Sequence, residues 1–220
     1  MPDPFELLIF DCDGVLVDSE PIANAVFAEM LRDLGLAVTL EDMYRDFMGR
    51  SMSTCLQIVE ARLGKPPPQG FVAELKRRTA AALSDGLKPV AGIKGALDKI
   101  SIPYCVASSG EREKMQLTLG LTGLLERFNG KLFSVTEVAR GKPYPDVFLY
   151  AAKRMGATPA RTAVIEDTEV GIRAGISAGM TVFGFAGLSD PGKLADAGAI
   201  VFDSMTQLPE LLHSGGLVPC

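Results

Sequence analysis

No Cys-x-x-Cys pair occurs in these 220 residues, and the four cysteines, Cys12, Cys55, Cys105 and Cys220, are widely scattered. That spacing speaks against metal ligation and favours buried free thiols in a reducing compartment. No apolar run reaches membrane-spanning length, and the N-terminus lacks a basic stretch followed by a long apolar segment. A soluble, cytoplasmic protein is the expectation. Lysine and arginine form no long runs and the net charge is −5, so neither nucleic acid nor an anionic membrane is an expected partner. A small anionic substrate is still allowed, because local charge in a pocket outweighs the global sum. Internal repeats and low-complexity stretches are also absent. What is abundant is apolar content, 47% of residues, enough for a sizeable core in one or two domains.

The apolar pattern changes texture along the chain. Phe5 to Phe10 reads as a strand, and Ser19-Glu20-Pro21 as a helix start. Ile22, Val26, Phe27, Met30, Leu31 and Leu34 then recur at helical spacing until Gly35. Thr39-Leu40-Glu41-Asp42 resembles a capping box, and helices are expected over Met52–Leu63 and Phe71–Leu83. From Leu87 strands and helices alternate. Helices are expected over Gly92–Ile100, Glu111–Leu119, Pro145–Met155, Val170–Ala178 and from about Gln207. Strands are expected over Ile102–Ala107, Lys131–Ser134, Thr162–Ile165, Thr181–Phe185 and Ala199–Phe202. Such alternation implies a parallel sheet with helices on both faces. The expected architecture is an α/β, Rossmann-like core, residues 1–18 and 87–220, with an all-helical insert over residues 19–86.

Chemistry-bearing residues follow the strand-like runs. Asp11-Cys12-Asp13-Gly14 closes the first strand with two carboxylates at alternate positions, which can face one pocket. Like charges that close repel unless a cation or a proton intervenes. The same four residues also make an ordinary turn composition. Ser108-Ser109-Gly110 ends another strand, as an anion seat at a helix N-terminus or as a simple serine cap. Lys142 stands in a Lys-Pro-x-Pro frame whose prolines stiffen the backbone; it reads as a neutralising cation or as a turn lysine. Glu166-Asp167-Thr168 offers hard oxygen ligands suited to Mg2+, or else caps a helix. In open parallel sheets these strand ends converge at the carboxyl edge, where ligands bind.

Asp11-x-Asp13-Gly14-Val15, Ser108, Lys142-Pro143 and Glu166-Asp167 resemble, in order and spacing, the four motifs of the haloacid dehalogenase superfamily. The likeness covers almost the whole chain, and the insert looks like that superfamily's four-helix cap. The runs Asp11 to Glu20 and Gly141 to Asp146 look most like its sugar-phosphate phosphatase and β-phosphoglucomutase branch. The resemblance implies a nucleophilic Asp11 that forms an aspartyl-phosphate and an acid/base Asp13. It implies phosphoryl contacts from Ser108 and Lys142, with Ser109 as a further substrate-binding group. Mg2+ is expected on Asp11, the Asp13 carbonyl oxygen and Asp167, with Glu166 ligating directly or through water.

Three other readings are set against a phosphomonoester hydrolase. Halide displacement needs neither Mg2+ nor a second aspartate, yet Asp13, Glu166 and Asp167 are all present. A mutase of the β-phosphoglucomutase type carries a histidine on the first cap helix. Ala23 holds that place here, and the only histidine is His213. A non-catalytic phospho-aspartate regulator has no use for Asp13. Substrate choice is expected from the insert: Glu20 and Asn24 as hydroxyl-recognising groups, and Arg50 as an anion clamp or merely a solvated arginine. The expected substrate is a small phosphorylated metabolite, a sugar phosphate or phosphorylated sugar acid; oligomeric state is not readable.

Overall fold

The computed structural model describes residues 4–47 and 52–215. The chain divides into two compact units, residues 1–18 with 88–220, and residues 19–87. In the first, six strands form one parallel sheet: β1 (Leu7–Phe10), β2 (Tyr104–Ser108), β3 (Leu132–Ser134), β4 (Thr162–Glu166), β5 (Thr181–Phe185) and β6 (Ile200–Phe202). Their spatial order is β3-β2-β1-β4-β5-β6. The chain therefore builds outward from β1 to one side, then returns to its other side. That reversal between β1 and β4 is where open α/β sheets present a crevice at their carboxyl edge.

Helices α5 (Ile93–Lys99), α6 (Arg112–Leu121), α7 (Asp146–Met155), α8 (Glu169–Ser177), α9 (Pro191–Asp196) and α10 (Leu208–His213) complete this unit. Alternate strand residues face opposite ways. Leu7, Ile9, Cys105, Ala107 and Val164 thus share a core with Val147, Phe148 and Ile172 of α7 and α8. On the other face Phe10 meets the rings of Tyr104 and Phe128 edge-on, at 6.0 and 6.3 Å between centroids. Helix α8 lies close to the sheet because of its small residues: a Cβ on Gly175 would come within 2.6 Å of Val182.

The second unit holds α1 (Glu20–Asp33), α2 (Leu40–Asp46), α3 (Met52–Leu63) and α4 (Phe71–Gly86). Phe27 of α1 organises it, with ring centroids 5.2 Å from Phe47 and 6.2 Å from Phe71. The two chain crossings between the units run side by side. Asp18 N–H donates to the Lys88 carbonyl at 3.0 Å, and Val17 bridges Pro89 in antiparallel fashion.

Most element boundaries fall within two or three residues of expectation, and the differences have causes. Strand β1 begins at Leu7 rather than Phe5, where its ladder with β4 starts, at Thr162. Ser19 occupies the N-cap of α1, but its hydroxyl accepts nothing from the first turn. Thr39 and Asp42 do form the reciprocal box expected at α2. Helix α9 was not anticipated: six residues are too few for a visible period, although Asp190 caps it and Pro191 opens it. Cys12, Cys55 and Cys105 are buried free thiols. No helix among the described residues is long and apolar enough to cross a membrane.

Candidate active site

Strand register brings the motifs together. Phe10 of β1 is paired with Val106 on one side and Ile165 on the other. The next residue, Asp11, therefore leaves the sheet between Ala107 of β2 and Glu166 of β4, and its N–H still donates to the Ile165 carbonyl at 2.9 Å. A tight turn follows, in which Leu16 and Val17 donate to the Cys12 carbonyl and Gly14 donates to that of Val17.

Lys142 ties this edge together. Its side chain is 4% exposed, and its Nζ donates to Asp11 Oδ1 at 2.7 Å, Glu166 Oε1 at 2.6 Å and the Ala107 carbonyl at 3.3 Å. The ammonium also lies 4.7 Å from the centre of the Phe148 ring, a cation–π contact. Burial alone would favour the neutral amine, but the Asp11 and Glu166 carboxylates push the lysine's pKa up, so it stays charged. For Asp11 burial is the largest influence and raises its pKa. Lys142 pulls the other way, and the nearby Glu166 charge adds to the rise. Two buried carboxylates share one ammonium.

Glu166, expected to ligate Mg2+ directly or through water, is engaged by protein donors on both oxygens. Beyond Lys142 on Oε1, its Oε2 accepts from Asp167 N at 2.9 Å, Thr168 N at 3.0 Å and Thr168 Oγ1 at 2.9 Å. Gly171 presses on the same carboxylate, since a Cβ there would lie 1.7 Å from Oε1. These contacts take up most of the acceptor capacity of Glu166, which leaves ligation through water easier to accommodate than direct ligation. Glu166 locks Lys142 to the start of α8, where Thr168, rather than Asp167, caps the helix by accepting from Gly171 N.

Asp167 fits a cation better. Gly14 has φ +79°, and a Cβ on it would fall 2.0 Å from Asp167 Oδ2, so only glycine lets this carboxylate approach the Asp13–Gly14 backbone. Asp11, Asp167 and the Asp13 carbonyl are hard oxygen donors. Among the described residues no group of three His, Cys, Asp or Glu side chains is placed to hold a metal ion. Mg2+ does not require one, since it commonly takes one or two carboxylates and completes its shell with water and substrate oxygens.

Ser108 is the last residue of β2 and 2% exposed. It is not a helix cap: α6 begins four residues later, and the Ser108 hydroxyl accepts from Gly110 N at 3.0 Å. Ser134 braces the same loop by donating to the Gly110 carbonyl at 2.7 Å. Ser109 is exposed in that loop. Asp13 pairs through Oδ2 with Lys114 Nζ at 2.7 Å, a partner that sequence reasoning missed because Lys114 looks like any lysine of an amphipathic helix. Glu20 and Asn24 lie on α1 in the helical unit, and Arg50 lies outside the described residues.

The family model for haloacid dehalogenase-like hydrolases matches residues 5–179. The chain belongs to that family. Among curated relatives, this hydrolase is 32% identical over 212 residues to the 6-phosphogluconate phosphatase of Escherichia coli K12, covering 96% of each chain. A conserved haloacid dehalogenase-like protein of Agrobacterium tumefaciens superposes with a TM-score of 0.89 at 34% identity, covering 96% of this chain and 99% of the other. A family hydrolase of Deinococcus radiodurans, solved with bound phosphate and sodium, gives a TM-score of 0.83 at 30% identity, covering 99% of this hydrolase and all of that chain. The α/β parallel-sheet fold and the phosphatase class expected from the sequence are both borne out.

Proposed function

We propose that this hydrolase removes phosphate from a small phosphorylated metabolite, a sugar phosphate or phosphorylated sugar acid, by way of an aspartyl-phosphate on Asp11. The observation that carries the reading is the placement of Asp11 at the carboxyl end of a central strand, 2.7 Å from a buried lysine, with Asp13 two residues on. An Asp11 carboxylate oxygen attacks phosphorus and the ester P–O bond breaks. The leaving oxygen takes a proton from Asp13 and departs as the alcohol. Water then attacks the phosphoryl group while Asp13 accepts its proton. The Asp11–phosphorus bond breaks, releasing inorganic phosphate and restoring the carboxylate. Splitting the transfer in this way replaces one hard step by two easier ones.

Ser108, Ser109 and Lys142 hold phosphoryl oxygens against the charge that spreads over them during transfer. Mg2+, held by Asp11, the Asp13 carbonyl oxygen and Asp167, would neutralise phosphoryl charge beside the nucleophile. The helical unit serves as the substrate-selecting cap, with Glu20 and Asn24 as hydroxyl-recognising groups. Hydrolysis is preferred to phosphate shuttling between sugar positions because Ala23 stands where the mutase pattern has histidine.

The test is a kinetic screen of sugar phosphates and phosphorylated sugar acids with Mg2+ present, run beside Asp11→Asn. The variant is expected to keep its far-UV spectrum and lose turnover on every substrate. More than trace turnover by the folded variant overturns the assignment of Asp11.

A further inference from the structure

Lys114 has no part in the scheme above, yet its ammonium holds Asp13 Oδ2 at 2.7 Å. The two side chains are 45% and 26% exposed, and a surface pair of that kind ordinarily matters little. Two observations, together with the role proposed above for Asp13, set this one apart. Lys114 is the third residue of α6, in the first turn, where the helix dipole disfavours a cation, so the placement runs against local preference. One turn further on, Thr118 Oγ1 lies 3.8 Å from Cys12 Sγ and donates to the Lys114 carbonyl at 3.0 Å. Two rungs of α6 thus seat consecutive residues, Cys12 and Asp13, of the turn that follows β1.

We infer that Lys114 is a positioning residue for Asp13, pinning one carboxylate oxygen so that the group meets first the departing ester oxygen and then the attacking water. The inference rests on the role given to Asp13 above. Misplacing a proton-transfer group by about an ångström lowers rates up to about a hundredfold. That loss depends on the leaving group, because p-nitrophenolate leaves readily without a proton whereas phenolate gains more from one.

The experiment compares wild type, Lys114→Met, Lys114→Gln and Lys114→Arg on p-nitrophenyl phosphate and phenyl phosphate with Mg2+ present. Melting midpoints serve as the control for folding, and two neutral variants guard against one failing to fold. The neutral variants are expected to lose about tenfold to a hundredfold in kcat/KM on phenyl phosphate, less on p-nitrophenyl phosphate, with KM unchanged. Arginine should restore most of the loss. Added to Asp13→Asn, the lysine change should cost nothing more in single-turnover release of p-nitrophenol. Equal losses on both esters, a raised KM, an additive loss with Asp13→Asn or an unchanged enzyme each overturn the role of Lys114. A wild type inactive on every phosphomonoester sinks the phosphatase reading itself.

Discussion

Glu166→Gln replaces one oxygen by NH2 and removes one charge at a position 1% exposed. Three donors converge on Oε2, those of Asp167 N, Thr168 N and Thr168 Oγ1, so the amide oxygen must go there. The amide NH2 then points at Lys142 Nζ across the 2.6 Å now spanned by a charged hydrogen bond. Donor meets donor. A hydrogen bond to a charged group contributes roughly 1.5–3 kcal/mol, and stranding a buried charged donor costs more, so about 3 kcal/mol is expected. One effect opposes this, because the Glu166 charge also repels Asp11. Lys142 acts on Asp11 more strongly than Glu166 does, so relief of that repulsion is the smaller change. For a chain of this length, a melting shift of roughly 2–4 °C per kcal/mol gives a midpoint lower by about 6–12 °C. Calorimetry or circular dichroism without added metal reads it. An unchanged midpoint would show that Lys142 does not depend on Glu166, and the account of this ion cluster would fail.

The remaining predictions concern other elements. Gly14→Ala meets a left-handed φ, which costs roughly 1–2 kcal/mol, and drives its methyl into Asp167 Oδ2. A lower melting midpoint and a higher Mg2+ concentration for half-maximal activity are expected; wild-type Mg2+ dependence would remove Asp167 from the metal site. In the helical unit, the Thr39 N–H, then its hydroxyl and Arg45, hold the Asp42 carboxyl down at about 2. Because the folded value is depressed, the stabilisation is complete above the ordinary carboxylate range and fades as pH falls through about 2. Carboxyl NMR should find that low midpoint and see it rise in Thr39→Ala; a wild-type midpoint near roughly 3.9, the ordinary aspartate value, would refute the capping box.

The sequence made the sheet legible because each buried strand is a short apolar run closed by polar residues, as Leu7–Phe10 is by Asp11 and Thr162–Ile165 by Glu166. Convergence of the motifs also followed, since parallel strands share a carboxyl edge. Partner choice did not follow. Nothing in Glu166-Asp167 says which carboxylate turns toward Lys142; that is decided by Gly171 and the first turn of α8, which trap Glu166 from below. Lys114 was equally hidden, because its pairing depends on how α6 is rotated against the turn after β1. Of the two readings of Ser108, the helix cap falls away because a loop, Ser109 to Glu111, separates β2 from α6, a separation that the Ser-Ser-Gly run did not reveal.

The paired crossings at Asp18 and Lys88 carry an evolutionary consequence. Joined as neighbouring rungs, they leave a gap of only about 5 Å between the ends of the catalytic scaffold. Closing a loop there grows costlier only logarithmically with its length. Bundles of quite different size can therefore be grafted at this stem without disturbing the sheet, and the residues at its strand ends keep their places whatever is inserted.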